Sequence, residues 1–160
     1  MKIYFKKSSI HGLGIFAKVP IRRGETVTII KGVRHHKVNK TVKDVFMHPD
    51  WIGYNEFEWI DPKPPHKYIN HSCDPNVGIR GRFLITALRD ISKDEEVVID
   101  YSIIEPDSRW FMKCQCGKKE CRGTIRSIEL LPKKLFNKYT PFIPAQLKKL
   151  YARKEKHLIK

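Results

Sequence analysis

Residues 68–76 read Tyr68-Ile69-Asn70-His71-Ser72-Cys73-Asp74-Pro75-Asn76. The stretch is too polar and too rich in turn formers for a core strand. Asn70, Ser72 and Asp74 compete locally for backbone hydrogen bonds, and Pro75 forbids a continuing helix. A tight, hydrogen-bonded loop is expected, an Asx-type turn being its plainest form. The loop also gathers an amide, an imidazole and a thiol within four residues. Its company gives it weight: a Gly12-Leu13-Gly14 turn upstream, Asp100-Tyr101 after a strand downstream, and three further cysteines.

Outward from this loop the chain reads as short strands joined by turns. Ile3–Phe5 is a short strand, Ser8–Gly14 a turn, and Ile15–Ala17 with Val19 a strand closed by Pro20. Thr26–Ile30 is densely β-branched and reads as a strand. Residues 31–40 are basic and unpatterned, which predicts a surface loop. Thr41 is placed to cap a short helix through Val42, Val45 and Phe46. Phe57–Ile60 alternates as a strand, and Pro62, Pro64 and Pro65 break structure before the central loop. Val77–Ile79 and Phe83–Leu88 predict a hairpin about Arg80-Gly81-Arg82. Val97–Ile99 reads as a buried strand ending at Asp100-Tyr101. Pro144–Leu158 predicts a helix with Leu147, Leu150, Tyr151 and Leu158 on one narrow stripe, packed on the body.

The 160 residues allow one domain, or one with an appendage. There is no run of 18 apolar residues, so no membrane span is expected. Met1–Lys7 lacks a signal-peptide apolar stretch, which points to an intracellular protein, nuclear in a eukaryote and cytoplasmic otherwise. The net charge is +15, and about half of the excess lies in residues 125–160. Such a field attracts polyanions: nucleic acid, an acidic protein face or nucleoprotein.

Cys114, Cys116 and Cys121 form a C-x-C-x4-C pattern with Gly117 between. Thiolates this close can wrap one tetrahedral Zn²⁺, and Cys73 is the only thiol left for the fourth position. A Cys114–Cys116 disulfide would close too tight a ring. Four unrelated thiols are the alternative. If Cys73 joins, a structural metal ties the central loop to the C-terminal segment.

These pieces, in this order, resemble the SET-domain protein lysine methyltransferases that carry a cysteine-rich post-SET segment. The resemblance rests on His11–Ala17, Ile21–Glu25, Tyr68–Asn76, Ala87–Ile91, Asp94–Val97, Asp100-Tyr101, Cys114–Gly117 and Cys121–Gly123, and spans about Lys7 to Thr124. It implies a mostly β fold of several small sheets around a knot-like core. The expected division is a SET domain over 1–103, a zinc-binding segment over 104–125 and a basic extension over 126–160. It further implies S-adenosylmethionine as methyl donor and a protein lysine, in a histone or another protein, as acceptor. The two would enter from opposite faces. The protein is expected to act as a monomer or weak dimer.

By that resemblance Tyr101 is the catalytic tyrosine, beside the transferring methyl and the lysine nitrogen. Gly12, Leu13, Gly14, Asn70 and His71 would hold the cofactor, and one of Trp110, Phe111 and Met112 would cover its adenine, an ordinary hydrophobic anchor being the alternative. Cys73, Cys114, Cys116 and Cys121 would bind the metal. The family commonly has an aromatic residue two before the tyrosine and another near the end of the second strand. Here these positions are Ile99 and Ile30, expected to line the substrate channel and to let it accept more than one methyl. His35, His36, His48 and His66 read as surface or satisfied histidines. A basic, zinc-stapled nucleic-acid-binding module is the competing class; it has no use for Asn70, His71 and Tyr101 at this spacing. A non-catalytic relative using the fold for protein interaction is the third reading.

Overall fold

The structure, a computed structural model, describes residues 1–36 and 50–158. Twelve short strands form three sheets among the described residues. The largest runs β1 (Ile3–Lys7), β2 (Leu13–Ala17), β10 (Glu96–Ile99), β8 (Val77–Arg80), β9 (Leu84–Ala87) and β3 (Thr26–Ile29), with β7 (Asn70–His71) also on β10. A second sheet orders β4 (Gly32–His36), β6 (Glu58–Pro62) and β5 (Ile52–Gly53). β11 (Phe111–Lys113) pairs with β12 (Thr124–Arg126).

β10 is the hub. Its first half pairs antiparallel with β2, and its second half pairs parallel with both β7 and β8. Covered on both faces, it buries Val97, Val98 and Ile99, which is why its sequence is a continuous apolar run. Most strands fall where the sequence places them, the hairpin about Arg80–Arg82 included.

Two expectations are corrected. The Asn70-His71 pair is a short strand on β10 rather than pure loop, registered Val98 to Asn70 and Ile99 to His71. Within the expected surface loop, Gly32–His36 is β4, paired with β6. Polar and largely exposed, β4 lacks the alternation that marks a strand. Its approach depends on Gly32, where a Cβ would lie 2.1 Å from the Asp61 carbonyl oxygen. The helix expected over Thr41–Phe46, and His48, lie outside the described residues.

Asn76 shows how the central loop is stitched in. It is fully buried, and its side chain acts as a piece of backbone. Its Oδ1 accepts from the Val98 N–H at 2.8 Å, and its Nδ2 donates to the Glu96 carbonyl at 2.7 Å and to Glu95 Oε1 at 3.0 Å. His66 is satisfied as expected: buried, with its Nε2 3.0 Å from Thr28 Oγ1.

The C-terminal region is part of the same core. Helix α1 (Lys133–Tyr139) and helix α2 (Ala145–Leu158) follow β12. Ile128, Leu131, Tyr139, Ile143, Leu147, Leu150 and Tyr151 join the main apolar cluster. Of the expected α2 stripe, Leu147, Leu150 and Tyr151 pack as the spacing predicts, and the side chain of Leu158 lies outside those described; α1 and the β11–β12 hairpin were not legible. Gly78 of β8 meets the turn between the helices so closely that a Cβ there would lie 2.6 Å from the Phe142 Cβ.

Replacing Asn76 with Ala strands the buried Val98 N–H and Glu96 carbonyl. The expected loss is about 3 kcal/mol of unfolding free energy. Urea denaturation reads it directly, and a loss below about 1 kcal/mol would show that these groups find other partners.

Candidate functional site

The segment after β10 turns at once into a short 3-10 helix, Tyr101–Ile104. Asp100 caps it, its Oδ1 accepting from the Ser102 N–H at 3.0 Å. This carboxylate is wholly buried and needs a cation. Arg122, from the cysteine-rich segment, supplies one, Nη2 to Oδ1 at 2.6 Å, and its Nη1 lies 3.4 Å from Ser102 Oγ. Tyr139 of α1 is buried nearby; burial first, and then the Asp100 charge, push its phenol upward.

His71 sits on the other side of Asp100, and its Nδ1 accepts from the Tyr101 N–H at 3.1 Å. Burial outweighs the attraction of Asp100 and brings the imidazole down to about 4, so the ring is neutral at physiological pH. With Nδ1 accepting, the ring proton is on Nε2, which faces Cys73 Sγ at 3.5 Å. The Arg122 backbone N–H also donates to Cys73 Sγ, at 3.3 Å. Cys73, His71, Tyr101, Asp100 and Arg122 thus close a ring of polar contacts.

Cys73 Sγ is 3.7 Å from Cys114 Sγ. Sulfurs on a tetrahedral zinc at ~2.3 Å lie about 3.8 Å apart, so this spacing fits a metal. The ligand atoms of His71, Cys73, Cys114 and Cys116 lie within 4.8 Å of one another. Cys121 is exposed and outside that group, yet its thiol bears on Cys114, which burial and the neighbouring thiols of Cys116, Cys121 and Cys73 push up. Burial alone would raise Cys116, but the backbone N–H groups of Cys73 and Lys118 help bring it down to about 7.

Two cavities flank Tyr101. The larger, about 470 Å³, is lined by Ile10, His11, Asn70, His71, Trp110 and Phe111 among others. The smaller, about 20 Å³, lies among Trp51, Ile52, His66, Ile69, Ile104 and Glu105. Among the described residues, Asp50, Tyr101 and Trp110 line both. The Tyr101 hydroxyl donates to the Ile69 carbonyl at 2.8 Å. Burial, and secondarily the Asp50 charge, push this phenol upward, so it is neutral.

The structure therefore gathers Asn70, His71, Tyr101, Trp110 and Phe111 about one cavity. From the glycine turn, Ile10 and His11 line it, while Gly12, Leu13 and Gly14 do not. The turn is held from behind: Asn70 Nδ2 donates to the His11 carbonyl at 3.2 Å, to the Leu13 carbonyl at 3.1 Å and to Glu96 Oε1 at 2.8 Å. A Cβ on Gly14 would lie 2.2 Å from Glu96 Oε1. Ile30 and Ile99 belong to the main core, and neither lines the smaller cavity. Sequence reading missed Glu96, whose carboxylate spans the turn and the central loop. It missed the pairing of Arg122 with Asp100, although the Cys-Arg-Gly triplet signalled that Arg122 mattered. Nothing local marked Asp50.

A family model described as the SET domain matches residues 12–102. The chain is 31% identical over 145 residues to histone-lysine N-methyltransferase ATX2 of Arabidopsis thaliana, covering 80% of this chain and 13% of that protein. It is 30% identical over 140 residues to the H3 lysine-4 specific histone-lysine N-methyltransferase of Saccharomyces cerevisiae, covering 77% and 13%. The chain thus spans about one eighth of the length of these relatives. A chain in the structure of a humanized mutant of Chaetomium thermophilum Polycomb Repressive Complex 2 bound to an inhibitor superposes with TM-score 0.56 at 25% identity, covering 66% of this chain and 15% of that one.

Arg122→Ala leaves the Asp100 carboxylate buried without its cation. A loss of about 3 kcal/mol is expected, measured by denaturant unfolding. A variant as stable as the parent would show that Asp100 does not depend on this pair.

Proposed function

This chain belongs to the SET-domain family, and on that footing we propose that it is a protein-lysine N-methyltransferase. It moves methyl from S-adenosylmethionine to the ε-amine of a lysine in a histone or another protein. The observation that carries this reading is the meeting of two unequal cavities at Tyr101. Such a pair suits a donor and an acceptor that approach from different sides and react in line.

The larger cavity falls in the size range of small-molecule sites. Its mixed lining, with Trp110 and Phe111 beside Asn70 and His11, fits a nucleoside bearing a polar amino-acid end. When bound, S-adenosylmethionine supplies a methyl group made electrophilic by a sulfonium. Asn70 and His71 hold the wall of this cavity, and the Ser8–Gly14 turn presents Ile10 and His11 to it. Trp110 and Phe111 form the cover.

Free lysine has a pKa near 10.4, so a site must favour its neutral amine. Trp51, Ile52, Ile69 and Ile104 give the narrow slot an apolar side, and the neighbouring Lys67 cation, like that apolar side, disfavours a buried ammonium. The Tyr101 proton is committed to the Ile69 carbonyl, so its oxygen has lone pairs to offer at the junction. Neutral and with its pKa raised, Tyr101 orients and polarises rather than removing a proton.

The thiols fit a structural Zn²⁺. Cys73, Cys114 and Cys116 supply three donors, and we assign the fourth to Cys121. His71 carries its proton on Nε2 and donates to the Cys73 sulfur instead of binding metal. Metal analysis of the purified protein is expected to return about one zinc per chain. Cys121→Ser should release it to a chelator well before wild type does; equal retention would exclude Cys121.

The names of the relatives point to histones as acceptors. Lys134, Lys138 and Lys149 of the C-terminal helices are exposed cations suited to nucleoprotein. Because these helices fill the core, charge removal tests that contact better than truncation. Labelled S-adenosylmethionine is offered with core histones, nucleosomes and total cell extract. Wild type is expected to label protein lysine, and Tyr101→Phe to do so about 100-fold more slowly. The combined Lys134→Gln, Lys138→Gln and Lys149→Gln variant should lose preference for nucleosomes while keeping activity on free histones. No transfer to any acceptor, together with no binding of S-adenosylmethionine, would overturn the reading.

A further inference from the structure

Asp50 stands where the two cavities meet. Among the described residues three are common to both linings; Tyr101 is neutral and Trp110 is an indole, so of these Asp50 brings the formal charge. It is exposed at the rim, whereas Trp51, Ile52, Ile69 and Ile104 give the smaller cavity an apolar side. Its charge reaches the Tyr101 phenol, which places the carboxylate within electrostatic range of the reacting position. The other charged groups of the smaller cavity are disposed differently. Glu105 is buried, with its Oε1 accepting from the Asp107 N–H at 2.8 Å, and Lys67 is an exposed cation that would repel an incoming ammonium.

A chain of net charge +15 has a particular difficulty with a cationic substrate. Its overall field repels a lysine-bearing basic peptide, and Lys67 adds to that at the slot itself. A carboxylate at the mouth reverses the sign of the field over the last few ångströms. It offers a charge-assisted hydrogen bond to the amine's N–H, worth roughly twice a neutral one.

We propose that Asp50 is the specificity-determining carboxylate of the acceptor channel. It recruits the substrate side chain as an ammonium and selects an amine that still carries a proton. The assignment rests on the methyltransferase reading above. A carboxylate that recruits the cation also stabilises its protonated form, which opposes the neutral amine needed for transfer. Asp50 therefore acts on binding and not on turnover, and removing its charge should separate the two.

Wild type, Asp50→Asn and Asp50→Glu are titrated, with S-adenosylhomocysteine present, against a peptide centred on the lysine that wild type labels. Each is also titrated against the same peptide with norleucine, which keeps the chain length and lacks the amine. The ratio of lysine to norleucine affinity is expected to fall about tenfold in Asp50→Asn. Asp50→Glu should retain most of it. KM for the lysine peptide should rise in Asp50→Asn while kcat at saturation holds or increases. An unchanged affinity ratio in Asp50→Asn, or a collapse of kcat at unchanged KM, would overturn the assignment while leaving the methyltransferase reading intact. If wild type labels no lysine, that reading falls and the assignment falls with it.

Discussion

A buried carboxylate governs this molecule. Asp100 has no water to face, and its Oδ1 is held by Arg122 and by the Ser102 N–H. Taking such a charge out of water is favourable only when a cation and hydrogen bonds meet it. That condition forces the cysteine-rich segment back onto β10, which brings Cys114 and Cys116 to Cys73. It also fixes the turn that begins at Tyr101. The position of the aromatic hydroxyl between two cavities therefore depends on a pairing several ångströms away. His71 ties the same ring from the other side, accepting from the Tyr101 N–H and facing Cys73. A metal on these thiols would lock the ring at its most distant point.

Much of this was legible in the residues. The turn at Gly12–Gly14, the central loop, the Asp100-Tyr101 pair and the grouped cysteines each announced a local geometry. Their convergence was legible because the spacing matched a known family. What escaped were features whose signal lies in partners far along the chain. β4 is polar and becomes a strand only because Gly32 lets it close on β6. Asn76, unremarked within a turn-rich stretch, is a backbone surrogate inside a sheet. Ile30 and Ile99, expected at the substrate channel, belong to the apolar core, and the smaller cavity is lined instead by residues such as Trp51, Ile52 and Ile104. Asp50 had no motif at all, and only the junction of two cavities distinguishes it from any surface aspartate.

Electrostatics in this protein work on two length scales. The excess of lysine and arginine acts over roughly a Debye length, about 8 Å at physiological salt, and favours polyanionic surfaces. Within the site the groups that matter are single and placed: one buried ion pair, one neutral imidazole, one phenol whose proton is spoken for. Net charge thus speaks to where the molecule settles, and the local arrangement speaks to what happens there.

The contact between Gly78 and Phe142 has a consequence for how the protein comes into being. A ribosome makes β8 long before it makes the turn that must press against it. The family match ends at residue 102, yet the apolar cluster is completed only when Leu147, Leu150 and Tyr151 arrive. Until then the growing polypeptide leaves part of its apolar cluster uncovered, a high-contact-order topology still missing distant contacts. Nascent chains of this kind are exposed to aggregation, and they lean on chaperones during that interval. A recombinant fragment cut at the motif boundary would be held permanently at that unfinished stage.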